Sequence, residues 1–253
     1  MLVAERQQKI IELVNIRKSI RVSELSEYFS VTEETIRRDL EKLEKENKLK
    51  RSHGGAVSIQ EEDLDVSERE ITNVNEKRAI ANAAAELVES GDRIIVDAST
   101  TAWYMAKVLQ NIPLTVITNS IKVSIELSKK DKIEVISTGG RLNTKSMSYL
   151  GPLAERSLDM YHVNKCFMSC KGLHLENGLS DSNEEQALLK KKMAEQSDQV
   201  IVMVDSSKFG VKGFSKIAPL SKARQIITDS KINSGVKTRL EENQLTVHIA
   251  DFK

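Results

Sequence analysis

Along the first sixty residues the apolar positions recur at helical spacing. Ile10, Leu13, Val14 and Ile16 give residues 5–16 one apolar side. Leu25, Tyr28 and Phe29 mark a short second helix, with Ser23 as its N-cap. Ser30 and Val31 form a tight turn into a third helix, in the stretch Val31 to Asn47. There Thr32 caps the start, and Glu33 and Glu34 occupy the first turn, where carboxylates suit the helix dipole. Ile36, Leu40 and Leu43 fall on one face, and Arg37 and Arg38 point away from it. After Asn47, the pair Gly54-Gly55 reads as a turn between two short extended pieces.

The pattern changes further on. Residues 58–74 are polar and acidic and read as a linker. A helix is expected from Asn75 to Ser90, with Ala79, Ile80, Ala83 and Leu87 on one side and Gly91 ending it. Short apolar runs then alternate with helical stretches. The strand candidates are Arg93–Asp97, Leu114–Thr118, Ile133–Ser137, Lys165–Ser169, Gln199–Asp205, Gln225–Thr228 and Thr246–Ala250. Helices are expected at 100–110, 120–130, 183–197 and 233–242. Such alternation predicts an α/β fold whose mostly parallel sheet is covered on both faces. The expected organisation is a small N-terminal domain (1–57), the linker (58–74) and a larger C-terminal domain (75–253).

Composition narrows the class. The chain has 253 residues, 30% charged and 40% hydrophobic, with a formal net charge of +1. Any nucleic-acid surface must therefore be local. No stretch is long and apolar enough to span a membrane, and the N-terminus lacks the apolar core of a signal peptide. Two cysteines, Cys166 and Cys170, make no disulfide framework, so a reduced cytoplasmic setting is expected. His162, Cys166, Cys170 and His174 recur every four residues, which on one helix would make a metal-binding stripe. The segment reads as a strand, however, where residues four apart lie about 13 Å apart, so no metal site is expected. No cofactor is expected either.

Two helices joined by a turn of about three or four residues have helix-turn-helix spacing. With the Gly-Gly turn after the third helix as a wing, the expected partner is double-stranded operator DNA. Thr32, Glu33, Thr35, Arg37 and Arg38 lie at the groove-facing helix; an arginine can read guanine through a bidentate contact. Lys48, Lys50 and Arg51 are expected to face phosphates, and Ser23 and His53 complete the candidate DNA-binding set. A single small module binds weakly, so a homodimer or homotetramer on paired half-sites is expected. Here the chain resembles the DeoR family of bacterial transcriptional regulators. The resemblance is carried by Arg6, Ile10 and Val14, then Thr32 and the run Thr35-Ile36-Arg37-Arg38-Asp39-Leu40.

Three strand ends carry small hydroxyl, amide and glycine residues. They are Asp97 with Ser99, Thr100 and Thr101; Thr118, Asn119 and Ser120; and Thr138, Gly139, Gly140 and Arg141. Hydroxyls and free N–H groups at a helix start suit a phosphate. Residues 75–230 resemble the DeoR-family sensor domain, itself similar to the ribose-5-phosphate isomerase fold. That resemblance implies a phosphorylated sugar effector at these loops, with release of DNA on binding. It also marks V-D-S-S-K-F-G as a family hallmark, in which Lys208 adds charge to the pocket. The runs D-A-S-T-T-A-W-Y, S-C-K-G-L and G-L-S-D-S-N resemble the branch that regulates fucose or rhamnose catabolism, implying a deoxyhexulose 1-phosphate. Lys171, Asn183 and Glu184 join the candidate effector-binding set.

The alternative is a sugar-phosphate isomerase with an attached DNA-binding domain. Against it, lysines stand where the resemblance implies carboxylates, at Lys171 and, by register, at Lys191. An isomerase needs a positioned base, for which Asp181 or Glu184 would have to substitute. A repressor with no catalytic residues is the expected function.

Overall fold

The computed structural model describes residues 3–17, 19–46, 48–52, 54–58 and 66–251. The chain divides into two compact units, residues 1–64 and 65–253. In the first, α1 (Val3–Arg17), β1 (Ser19–Arg21), α2 (Val22–Phe29) and α3 (Glu33–Lys45) precede a hairpin of β2 (Leu49–Ser52) and β3 (Gly55–Ser58). The three strands form an antiparallel sheet in the order β1-β3-β2. Ile10, Val14, Leu25, Ile36, Leu40, Leu43, Leu49 and Ala56 are buried in one core. Each fully buried Val, Leu or Ile side chain there contributes about 1.5–3 kcal/mol.

Local chemistry explains the joints. The side chain of Thr32 accepts from the Thr35 N–H and caps α3. Ser23, by contrast, is not the cap of α2: the helix begins at Val22, with Arg21 in the cap position, and Ser23 is exposed in its first turn. The Val22 N–H instead donates to the Gly54 carbonyl of the hairpin turn (2.9 Å), so an acceptor from the wing serves this helix start. Gly55 is required by close approach, since a Cβ there would lie 2.3 Å from the Ile20 carbonyl oxygen.

A buried polar contact fixes α1 against α3. Asp39 is 4% exposed. It accepts from Arg6 Nε at 2.6 Å and from Gln7 Nε2 at 2.9 Å. Arg6 and Asp39 therefore hold α3 against α1.

The second unit opens with α4 (Val66–Glu70) and α5 (Val74–Ala85). It continues β4 (Arg93–Val96), α6 (Thr100–Val108), β5 (Leu114–Thr118), α7 (Ile121–Leu127) and β6 (Ile133–Ser137). A hairpin of β7 (Arg141–Asn143) and β8 (Ser148–Leu150) leads into α8 (Pro152–Leu158) and β9 (Val163–Met168). Then come β10 (Gly172–His174), β11 (Gly178–Asp181), α9 (Glu184–Glu195), β12 (Ser197–Met203) and β13 (Ser215–Ala218). The unit closes with β14 (Ala223–Asp229), α10 (Ser234–Glu242) and β15 (Thr246–Ala250).

All seven expected strands lie in one parallel sheet, in the order β15-β14-β12-β9-β4-β5-β6. Side chains alternate between its faces. Ile95, Ile117, Cys166, Met168, Val200 and Val202 pack with α8, α9 and α10. Ile94, Val96, Val116, Phe167, Ile201 and Met203 pack with α5, α6 and α7. The chain runs outward from β4 through β5 to β6, returns to β9 on the other side of β4, and runs outward again. The β4–β9 junction is thus the switch point, where ligands of open parallel sheets bind. The helix expected to run from Asn75 to Ser90 instead spans Val74–Ala85. Leu87 and Val88 still pack on the core, which accounts for the apolar spacing without helix.

Arg6→Ala would leave Asp39 buried without its counter-charge, a loss of about 3–5 kcal/mol for such pairs. Hydrogen exchange on the full-length protein should then show faster exchange in α1 and α3 with β4–β6 unchanged. Equal exchange in variant and wild type would mean that the pair does not hold this unit.

Candidate DNA interface and strand-end site

On α3 the two candidate arginines are parked on their own helix. Arg37 pairs with Glu33 at 2.5 Å and Arg38 with Glu34 at 3.4 Å, with arginine side chains 51% and 78% exposed. Exposed pairs of this spacing are worth only about 0.3–0.5 kcal/mol, so the arginines can leave their glutamates at little cost. Thr35 is half-buried and shares a hydroxyl hydrogen bond with Thr32 at 2.9 Å. Lys48 and Arg51 are exposed. The Arg51 N–H donates to Glu44 at 2.8 Å, which ties the wing to α3. His53 and the side chain of Lys50 lie outside the described residues.

The second site forms beyond the carboxyl ends of β4, β5, β6 and β9. Asp97 is fully buried. Its Oδ1 accepts from the Ser99 N–H (3.1 Å) and hydroxyl (2.6 Å), and its Oδ2 from the Ser169 N–H (3.0 Å). One carboxylate thus bridges the two strands of the switch point. Ser99 also caps α6 through the Ala102 N–H. Ser120 caps α7 through the Val123 N–H at 3.2 Å, while the Thr118 hydroxyl accepts from Ser120 N–H at 3.0 Å. Thr100, Thr101, Thr118, Asn119, Ser120 and Thr138 are all buried. Gly139 and Gly140 turn the chain with φ of +61° and +114°. A Cβ on Gly140 would also meet the Leu150 carbonyl oxygen at 2.8 Å.

The charged centre is Lys190. Its Nζ lies 2.6 Å from Asp181 and 3.5 Å from Asp97. Burial opposes the charge on Lys190, but Asp181 and Asp97 outweigh it and raise its pKa. Burial likewise opposes the charge on Asp181, yet Lys190 and the Ser182 and Asn183 N–H groups hold its carboxyl below the usual range. Burial pushes the Cys170 thiol up to about 12. That thiol also feels Lys190, Asp181, Lys208 and Asp97. Burial raises Cys166 as well.

Other candidates sit differently. Arg141 is exposed and paired with Glu185. Glu184 is exposed in the first turn of α9, and Asn183 caps that helix through the Gln186 N–H. Lys171 is half-buried, its N–H bonded to the Ser180 carbonyl at 3.0 Å. Lys191 is exposed, and it is Lys190 that faces inward. Gln186 was not among the candidates; it donates to Ser146 (3.2 Å) and Ser148 (3.1 Å). Asn183, Gln186 and Lys190 follow each other at three and four residues, so helical spacing was the signal available for Gln186 and Lys190.

Residues 6–62 match the DeoR-like helix-turn-helix domain, and residues 72–230 match the DeoR C-terminal sensor domain. The chain belongs to the DeoR family. Among relatives of this DeoR-family protein is YulB of Bacillus subtilis, an uncharacterized HTH-type transcriptional regulator. It is 67% identical over 98% of this chain and 96% of its own. The L-fucose operon activator of Haemophilus influenzae is 36% identical over 95% of this chain and 97% of its own. Among solved structures, ribose 5-phosphate isomerase A of Methanocaldococcus jannaschii aligns with a TM-score of 0.42 at 19% identity, over 55% of each chain. Among the described residues, no helix is long and apolar enough to cross a membrane.

Two outcomes follow for this DeoR-family chain. Arg37→Ala with Arg38→Ala should weaken specific DNA binding by about 1–3 kcal/mol for each base-reading arginine. Fluorescence anisotropy at fixed salt on the protein's own upstream DNA checks this, and an unchanged specific affinity would refute the reading helix. The second outcome concerns Lys190→Met, which leaves two buried carboxylates uncompensated and should cost about 3–5 kcal/mol at pH 7. One of these carboxylates then binds a proton more readily, so lowering the pH towards 5 should restore part of the loss. In the wild type the sign is opposite. Asp181 has a depressed pKa, so its contribution is present above about pH 4 and is lost as pH falls through the lower folded value. Lys190 has a raised pKa, so its contribution is present below about pH 10.4 and is lost as pH rises through the folded value. Melting curves from pH 3 to 10 separate the two profiles; parallel profiles would remove the triad from this account.

Proposed function

We propose that this protein is a repressor of a carbohydrate-catabolism operon, controlled by a phosphorylated sugar. The effector binds at the strand ends of the sensor unit and weakens the grip of α3 on operator DNA. The observation that carries this reading is the switch-point site itself. Capped helix starts at Ser99 and Asn183 stand two residues after Asp97 and Asp181, the carboxylates that pair with the buried Lys190 ammonium, another lies at Ser120, and among the described residues the Asn119 Oδ1 is buried with no partner. Helix starts suit a phosphate, and an unsatisfied amide oxygen suits a sugar hydroxyl. The candidate effector is a deoxyhexulose 1-phosphate. The name of the Haemophilus relative, an L-fucose operon activator, supports a deoxyhexose while giving the opposite sign of control.

The enzymatic reading is weaker on chemical grounds. A general base must be free to take a proton and should have a pKa near the working pH. Asp181 is held below its ordinary range and is bound to Lys190 at 2.6 Å, which makes it a poor base. Glu184 is exposed. Pairing two reading heads on half-sites calls for a homodimer or homotetramer.

A gel shift of the full-length protein on its own upstream DNA tests the proposal. The panel contains L-fuculose 1-phosphate, L-rhamnulose 1-phosphate and the free sugars. One phosphorylated sugar should lower DNA affinity by about 5- to 150-fold, the usual range of allosteric coupling, with the free sugars inert. Unaltered affinity across the panel, or turnover of a sugar phosphate, would overturn it.

A further inference from the structure

Asn119 occupies a special position in the strand-end site. The pairs Val96–Thr118 and Thr118–Ser137 set it laterally between Asp97 and Thr138. It is 2% exposed. Its Nδ2 donates to the Tyr149 carbonyl at 3.1 Å, and its own carbonyl accepts from the Tyr149 N–H at 2.8 Å. Because the Tyr149 oxygen can only accept, the amide orientation is determined, and Oδ1 is the end left without a partner among the described residues. A buried carbonyl oxygen in that state calls for a hydroxyl or N–H donor.

Tyr149 belongs to the β7–β8 hairpin, and that hairpin reaches the start of the unit. Its turn residue Met147 has a left-handed φ of +47° and accepts from the Ile121 N–H at 3.0 Å. Ser146 and Ser148 of the same hairpin accept from Gln186 of α9. The Lys145 carbonyl accepts from the Val66 N–H at 2.8 Å. Val66 begins α4, the first described element after the boundary between the two units. The rest of α4 is fastened to the sensor body. Lys77 Nζ donates to the Arg69 carbonyl (2.6 Å), Tyr104 donates to the Glu70 carbonyl (3.0 Å), and Lys122 pairs with Glu70.

We propose that Asn119 is the specificity and relay residue of the effector site. Its Oδ1 accepts a hydroxyl of a polyol phosphate, and its bonds to Tyr149 pass that event along the β7–β8 hairpin to α4. The ligand class follows from the chemistry: a phosphomonoester carrying a hydroxyl at the position facing Asn119. The inference rests on the proposed effector site and adds to it the atom that reads the sugar and the path leading from it. A ligand that tilts or seats the Asn119 amide shifts Tyr149, and with it the Lys145 carbonyl that holds the first N–H of α4.

The test uses the full-length protein as wild type, Asn119→Ala and the isosteric Asn119→Asp. Calorimetry measures binding of L-fuculose 1-phosphate and of inorganic phosphate, and hydrogen exchange follows residues 66–70. Asn119→Ala, which lacks the acceptor, should lose at least tenfold in affinity for the sugar phosphate and keep the wild-type affinity for inorganic phosphate, while Asn119→Asp keeps an acceptor oxygen and loses only the donor to Tyr149. Without ligand, both should also exchange faster at Val66–Glu70, while β4 and β9 stay protected. Equal sugar-phosphate affinity in wild type and Asn119→Ala overturns the specificity role. Unchanged α4 exchange in folded Asn119→Asp overturns the relay. Should the wild type bind neither probe, the effector reading itself fails and the specificity role with it, and the ligand-free exchange still decides the relay.

Discussion

The buried Lys190 ammonium group ties three elements of the sensor unit together. Lys190 comes from the middle of α9, Asp181 from the end of β11 and Asp97 from the end of β4. Removing such charges from water is costly, and only close pairing with good hydrogen bonds offsets that cost. The arrangement meets the condition: Asp97 also takes N–H groups from Ser99 and Ser169, and Asp181 takes one from Ser182. Three elements are therefore held at one point, at the place where the strand order reverses. The cap residues Ser99 and Asn183 each stand two positions after one of these carboxylates.

The DNA-reading unit follows the same logic on a smaller scale. Asp39 fixes α3 from its buried side through Arg6 and Gln7, and Arg37 and Arg38 occupy the opposite, exposed side. Rigidity and availability are thus divided between neighbouring residues of one run. The glutamates of the first turn serve the helix dipole and also pair with the two arginines.

Much of this was legible in the residues. Seven apolar runs correspond to the seven strands of the parallel sheet, because strands buried on both faces read as continuous hydrophobic stretches. Thr32 and the 36-40-43 stripe located α3 correctly. What escaped was short or indirect. The antiparallel pieces β7, β8, β10, β11 and β13 have three or four residues each, too few for any period to appear. Ser23 fits a cap by type, yet the acceptor for that helix start comes from Gly54, thirty-two positions along the chain. Lys190 hides in A-L-L-K-K-K-M, a run that reads as a solvated face, and only the partners Asp97 and Asp181, distant in sequence, show which lysine turns inward. Gly139 and Gly140 follow the end of β6 and turn the chain, while Arg141 beside them faces Glu185.

The central claim is that the switch point of the sensor sheet is where a phosphorylated sugar is read. A crystal structure of the full-length protein with L-fuculose 1-phosphate tests it most directly. The account predicts the sugar beyond the ends of β4, β5 and β6, with a hydroxyl donating to Asn119 Oδ1 and the phosphate at a capped helix start. A sugar phosphate bound instead in the surface groove lined by Arg78, Asn82, Tyr104 and Lys107, with the strand ends empty, would contradict it.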